Sequence, residues 1–494
     1  MLRLQRAASL APKHQGFPYQ VEAVEAIKER EYAAIFHEQG LGKTKIGLDL
    51  ALQWLNADVV DSVLIVTKKG LIQNWREEIG EHSFLRPRVI DQDRNANFFA
   101  FNSPARIYLA HYEAVRSERK RLKLFLKTRR VGVLLDEAHK IKNPESELAK
   151  AFLDLSPGFV RRVIMTGTPV ANRPYDLWAQ IRFLDQGEAL GDDFASFRHS
   201  LDLSNNLVHD VDRAKAFEEA LEQVFSAIRP FSVRQTKTSA GITLPDKHIE
   251  NVLVDMESRQ AEIYSLFRDE MAAIVVRNGR PFLDDAEEVL KRLLRLVQVA
   301  SNPMMVDQSY RGEPGKLPVL EDILHQAVDA GEKSIVWTSF TENADWLARH
   351  FSDLGCARVH GKMAIADRNS SIATFKADPE CKILVATPGA AKEGLTLTVA
   401  NHAIFFDRSF SLDDYLQAQD RIHRISQHRP CYVHNLIARE TVDEWVDALL
   451  GAKHLAAQLG QGDISREDYA EKANYEFGAM IRDVLRLDDD GRDE

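Results

Sequence analysis

Two sets of short apolar runs, each ending in small or polar residues, constrain this chain more than any other feature. The first set covers residues 33–36, 62–66, 106–110, 132–135 and 163–165. The second covers residues 334–337, 357–360, 382–386, 402–406 and 431–434. Unbroken apolar runs of this length read as strands covered on both faces, the pattern of a parallel sheet. Helical spacing fills the gaps, as at 45–55, 71–79, 342–351 and 366–375. Strands alternating with helices predict doubly wound parallel sheets, and two sets predict two α/β lobes. Between them, from about 185 to 305, the pattern turns helical, with apolar residues at helical spacing in 214–228 and 285–299. The expected organisation is an N-terminal extension over 1–15 and a first lobe over 16–245 with a helical insertion at about 185–230. A second lobe over 246–455, with an insertion at about 255–305, precedes a helical and then acidic tail over 456–494.

Bulk properties bound the function only loosely. With 494 residues, 45% hydrophobic and 28% charged, the chain has an ordinary globular composition, and its length suggests two to four domains. A net charge of −10 argues against a protein that coats nucleic acid with its whole surface, although a local basic groove can sit on an acidic body. Cys356, Cys381 and Cys431 are too scattered for a zinc cluster or disulfide framework and fit small core residues in a reducing compartment. No apolar run approaches the ~20 residues that span a bilayer, and the N-terminus lacks the apolar core of a secretion signal. A cytoplasmic protein is expected.

Chemistry concentrates at three places. Gly40 and Gly42 precede Lys43 and Thr44 on a turn from strand to helix, where backbone N–H groups can approach phosphate at a helix N-terminus. Lys43 is expected on the β- and γ-phosphates of a nucleotide, with the Thr44 hydroxyl on Mg²⁺. His37 stands where such loops usually have their first glycine. Farther on, the apolar run 132–135 ends in Asp136 and Glu137, at the sheet edge where open α/β sheets bind ligands. Asp136 suits the Mg²⁺ shell and Glu137 suits the orientation and deprotonation of water. Near the other end, Arg421 and Arg424 lie three residues apart, on one face of a helix or turn. Paired arginines from a second lobe can neutralise a transferring phosphoryl group, so loop and pair together suggest two lobes acting on one ATP.

In the full set of motifs the chain resembles superfamily-2 helicases, specifically the SWI/SNF-type ATPase family of DNA translocases. The carriers in the first lobe are FPYQ at 17–20, HEQGLGKT at 37–44, LIVTKKGLIQNW at 64–75, DEAHKIKN at 136–143 and MTGTPVAN at 165–172. RPFSVRQTK at 229–237, LPDK at 244–247 and RQAEIY at 259–264 follow in family order, as do the stretches 297–303 and 315–317. The second lobe adds 336–341, HGK at 360–362, EGLTL at 393–397 and the arginine segment 417–427. The resemblance spans about 17–448 and implies two RecA-like lobes, DNA-dependent ATP hydrolysis with Mg²⁺, and movement along double-stranded DNA. It also implies that Phe17 and Gln20 hold the adenine and that Gly394 joins the ATP site. DNA contacts carried over from the motifs are Thr67, Lys68, His111, Tyr112, Ser339, Lys362 and Thr387.

Some features depart from the family or stay open. ATPGAAKEGLTL at 386–397 is less glycine-rich than the family pattern, Ser409–Leu412 replaces a Trp-Asn-Pro-like turn, and Ser426 replaces a glycine. The basic run 116–130 reads as a solvated helix face rather than a DNA contact, and Trp75 and Trp337 as core residues. His139 has two equal readings, a coupler of nucleotide to the neighbouring strand or a structural hydrogen bond. The leading function is a double-stranded DNA translocase within a repair, remodelling or defence complex. The alternatives are a strand-separating or fork-remodelling helicase, and a recruitment subunit whose ATPase cycle gates assembly.

Overall fold

The computed structural model describes residues 8–169, 174–201, 211–277, 286–390 and 396–472. The chain divides into two compact units, Met1–Asp202 with Phe217–Thr243, and Leu203–Ala216 with Leu244–Glu494. Each is built on one parallel sheet, the α/β class expected from the two sets of apolar runs.

In the first unit the strands are β1 (Tyr32–Ile35), β2 (Ser62–Thr67), β3 (Arg88–Ile90), β4 (Ile107–His111), β5 (Val131–Asp136), β6 (Arg161–Met165) and β7 (Ser232–Val233). Their order is β3-β4-β2-β5-β6-β1-β7, and every pairing is parallel. Parallel neighbours require crossovers, which helices such as Lys43–Asn56 and Ile72–His82 supply. Helix Lys43–Asn56 carries the glycine turn at its start. Its Ile46, Leu50 and Trp54 are buried with Val63 and Ile65 of β2 and Leu134 of β5. Burial of each such side chain contributes about 1.5–3 kcal/mol, so the sheet fixes the direction in which the helix N-terminus points.

The second unit holds β8 (Lys247–Val254), β9 (Ser334–Trp337), β10 (Cys356–Val359), β11 (Ile383–Ala386), β12 (His402–Phe405) and β13 (Cys431–Ala438), in the order β10-β11-β9-β12-β13-β8. Its strands alternate between two cores. Ile335, Trp337, Leu384 and Phe405 enter one, while Val336, Ile383, Val385 and Ile404 enter the other. Helices Ser258–Arg277, Ala286–Ser301 and Val442–Gln461 build a separate cluster around Tyr264, Leu296 and Trp445. There the Tyr264 hydroxyl accepts from Val442 N at 2.8 Å.

Three strands escaped the apolar-run pattern. β3 and β7 are short edge strands, and β8 is an edge strand with four consecutive exposed positions. Edge strands need no continuous apolar run. Among the described residues no helix is long and apolar enough to cross a membrane.

Candidate functional site

The glycine turn follows β1, and the start of helix Lys43–Asn56 carries its chemistry. Gly40 and Gly42 have φ of +87° and +69°, the left-handed region that favours glycine. A Cβ on Gly42 would lie 2.4 Å from the Gln20 side-chain nitrogen, so the turn closes against Gln20 only because that atom is missing. Gln20 is buried; its Nε2 donates to Leu41 O at 3.1 Å and its Oε1 accepts from Phe17 N at 2.9 Å. Phe17 stands exposed and stacks on Tyr19, with ring centroids 5.9 Å apart. Lys43 Nζ donates to the carbonyls of His37 (2.9 Å) and Glu38 (3.2 Å). An ammonium parked on two loop carbonyls is poised to exchange them for phosphate oxygens. His37 is fully buried, and burial together with nearby Lys43 lowers its pKa to about 4, keeping it neutral.

The acidic pair sits on the same sheet, two strands away in the order β5-β6-β1. Thr67 Oγ1 (3.0 Å) and Trp75 Nε1 (2.8 Å) both donate to Asp136 Oδ2, which leaves Oδ1 for a cation. Burial, aided by the neighbouring Glu137 charge, pushes the Asp136 pKa up to about 6, against the hydrogen bonds from Trp75 and Thr67 and the pull of Lys43. A carboxylate so disfavoured as a bare anion gains most from a bound divalent ion. Glu137 is a non-glycine residue in the left-handed region (φ +55°), a strain of order 1 kcal/mol that aims its side chain away from the strand's line. Its Oε2 lies 3.2 Å from His139 Nδ1 and 4.0 Å from Lys68 Nζ. Thr44 occupies the first turn of helix Lys43–Asn56. Donor set, loop and helix end fit a magnesium nucleotide.

Of the seven DNA candidates, three are turned inward. Thr67 is buried on Asp136, and the fully buried Tyr112 donates to the Asp136 carbonyl at 2.7 Å. His111 is buried and caps the following helix by accepting from Ala114 N, with Asp91 at 3.1 Å from its other nitrogen. Thr67 and Tyr112 thus prop the acidic strand end, and His111 ties the start of its helix to Asp91, instead of facing solvent. Lys68 lies beside Glu137, as described. In the second unit Ser339, Lys362 and Thr387 follow β9, β10 and β11, three adjacent strands, and so share one sheet edge. Lys362 is exposed and pairs with Glu342 at 2.5 Å, Ser339 is half-buried, and Thr387 is buried.

Arg421 and Arg424 fall in the turns after helix Leu412–Gln419. Arg421 is buried, whereas Arg424 is half-buried, with Nε on Asp420 O at 3.0 Å and Nη1 on Thr396 Oγ1 at 3.1 Å. Gly394 lies outside the described residues. In the basic run, Arg119 and Lys123 both pair with Asp154, and Leu122 and Phe125 are buried, so this helix packs its apolar side inward. Trp75 and Trp337 are core residues, each 1% exposed.

One polar centre was missed in the sequence. Buried Asp407 accepts from Thr338 Oγ1 (2.6 Å), Ser339 N (2.6 Å) and Ser301 Oγ (2.9 Å), joining the end of β9 to helix Ala286–Ser301. The signal that could have found it is an acid directly after an apolar run, the same one that marked Asp136.

The SNF2-related domain matches residues 19–305, and the helicase conserved C-terminal domain matches 315–426. The ISWI chromatin-remodeling complex ATPase ISW1 of Saccharomyces cerevisiae is 25% identical over 456 residues, which cover 86% of this chain and 39% of that protein. An uncharacterized ATP-dependent helicase of Mycoplasma pneumoniae is 26% identical over 482 residues, 95% of this chain and 44% of that one. The chain thus spans less than half the length of these curated relatives. Among solved structures, the Sulfolobus solfataricus SWI2/SNF2 ATPase core in complex with dsDNA is 24% identical, covers 98% of this chain and 100% of that one, and superposes with a TM-score of 0.42.

Proposed function

The chain belongs to the SNF2-related family, and from that premise we propose that it is an ATP-driven motor that tracks along double-stranded DNA. The observation that carries this reading is the half-buried Asp136, held through Oδ2 by Thr67 and Trp75 with Oδ1 left over, on the same sheet as the Lys43 turn. Phe17 and Gln20 hold the adenine, and backbone N–H groups around Gly40 and Gly42 receive the phosphates. Lys43 leaves the His37 and Glu38 carbonyls for the β- and γ-phosphates. Thr44 and Asp136 would hold Mg²⁺, which would supply positive charge to the phosphate oxygens. Glu137, steadied by Lys68 and His139, orients a water and takes its proton as the water attacks the γ-phosphorus. ADP departs with the bridging oxygen, so ATP and water give ADP and phosphate. Arg421 and Arg424 stabilise the charge that develops on the transferring group, and Gly394 belongs to the same nucleotide site.

DNA is the track and not the chemical substrate. Lys68, Ser339, Lys362 and Thr387 stand at the strand ends from which backbone phosphates can be gripped, contacts that position without reading sequence. Within the first unit, Thr67 and Tyr112 brace the strand end that carries Asp136. We place the motor within a DNA repair, remodelling or defence complex. The test pairs a triplex-displacement assay with a forked-duplex unwinding assay, both with ATP. A translocase displaces the third strand and leaves the fork paired. Unwinding of the fork, or no displacement at all, would refute the proposal.

A further inference from the structure

The arginine-containing block 229–237 finds no task in the chemistry above, yet it lies against the phosphate loop. β7 pairs with β1 at Ala34 and Ile35, and the pairing runs on past the strand ends into the loop. Phe36 N donates to Val233 O and Glu38 N to Gln235 O, both at 2.9 Å. Arg234 Nη1 donates to Phe36 O at 2.9 Å. The Glu38 carboxylate accepts from Lys237 N at 2.8 Å and pairs with Lys237 Nζ at 3.2 Å. The block then closes on itself: Ala240 N donates to Thr236 O, Gly241 N to Thr238 O and Ile242 N to Lys237 O. The Ser239 hydroxyl donates to Gln235 Oε1 at 2.6 Å.

We propose that residues 234–242 are a strap that holds the phosphate loop in its binding shape, with Glu38 and Lys237 as the positioning pair. The inference rests on the ATP reading of the Lys43 loop. When Lys43 turns to phosphate, the His37 and Glu38 carbonyls lose the donor that joins them, and a loop held by Lys43 alone would relax. The strap grips Phe36 and Glu38 through bonds independent of Lys43. Binding energy is then not spent on ordering the loop. A device of this kind acts on ground-state and transition-state binding alike, so its loss raises KM and leaves kcat unchanged.

The test is a double-mutant cycle on the full chain, read by titration with a fluorescent ADP analogue plus Mg²⁺ and by steady-state ATP hydrolysis, with melting curves alongside. Glu38→Gln keeps an acceptor for Lys237 N and removes the charge, and Lys237→Met removes only the ammonium. Each is expected to weaken nucleotide binding and raise KM about tenfold, with kcat within about twofold of wild type. The double variant should be no weaker than the worse single one, because both changes break one interaction. Lys237→Arg should restore binding to within about threefold of wild type. Additive losses, single variants within twofold of wild type, or a defect confined to kcat would overturn the strap. Should Glu38→Gln not fold, Lys237→Met and Lys237→Arg decide the matter by loss and rescue. A wild-type chain that binds no nucleotide would sink the ATP reading itself, and the strap with it.

Discussion

Replacing Asp136 by Asn should stabilise the nucleotide-free protein while abolishing its activity. Asp136 holds its proton more tightly in the folded chain, with its pKa raised from 3.8 to about 6, because burial and the Glu137 charge disfavour the anion. Stability from this group is therefore full below pH 3.8 and is lost as pH rises through about 6. At about 1.4 kcal/mol per tenfold change in proton affinity, the penalty at pH 8 reaches about 3 kcal/mol. Asp136 is only half-buried, so about 2 kcal/mol is the working figure after allowing for solvent. Asn carries no charge and keeps an oxygen to accept from Thr67 and Trp75. For a unit of this size that amounts to a rise of about 4–8 °C in the melting transition. The assay is thermal unfolding in EDTA at pH 8, 6 and 5. Asp136→Asn should melt above wild type at pH 8, with the gap shrinking below pH 6 and closing toward pH 4. ATP hydrolysis should vanish, since the amide is a poor ligand for Mg²⁺. An Asn variant no more stable at pH 8, or a gap that ignores pH, would show that the Asp136 charge does not destabilise the fold.

Other outcomes follow from the same geometry. Gly42→Ala places a Cβ 2.4 Å from the Gln20 amide at a φ of +69°, so it should cost about 1–2 kcal/mol in a denaturant melt and raise the KM for ATP. Tyr112→Phe loses the hydrogen bond to the Asp136 carbonyl and should cost about 1 kcal/mol, with duplex DNA affinity by anisotropy unchanged. Arg421→Ala and Arg424→Ala should each lower hydrolysis at least about 100-fold while nucleotide binding, titrated directly, stays near wild type. The buried Arg421 should cost more stability than the half-buried Arg424, whose loss removes the bonds to Asp420 O and Thr396 Oγ1.

The sequence disclosed most where chemistry and backbone demanded the same residues. Glycines before a Lys-Thr pair, and acids directly after an apolar run, each need a strand end and little else to be recognised. The helices on either side followed from spacing; the expected 45–55 became Lys43–Asn56. The DNA candidates were less legible because a polar residue at a strand end has two fates. Thr67 and Tyr112 turned inward to Asp136, while Lys362 turned outward, and no local pattern separates them. The arginine spacing had the same weakness. The pair was expected on one face of a helix or turn and falls in the turns after Gln419, where Arg421 is buried and Arg424 half-buried, a difference that spacing alone does not give. The Asp407 centre and the buried Lys316–Asp443 pair (2.5 Å) join residues more than a hundred positions apart, a distance that spacing rules do not reach.

If hydrolysis drives movement along DNA, the ATPase rate on linear duplexes of increasing length, with saturating total DNA, reports it. A tracking motor leaves a short duplex soon and spends much of its time rebinding, so its rate should climb with length and level off once rebinding is rare. Glu137→Gln should show no hydrolysis at any length. Hydrolysis that duplex DNA does not stimulate, or stimulation that is the same on every length, would rule out a motor that tracks along DNA.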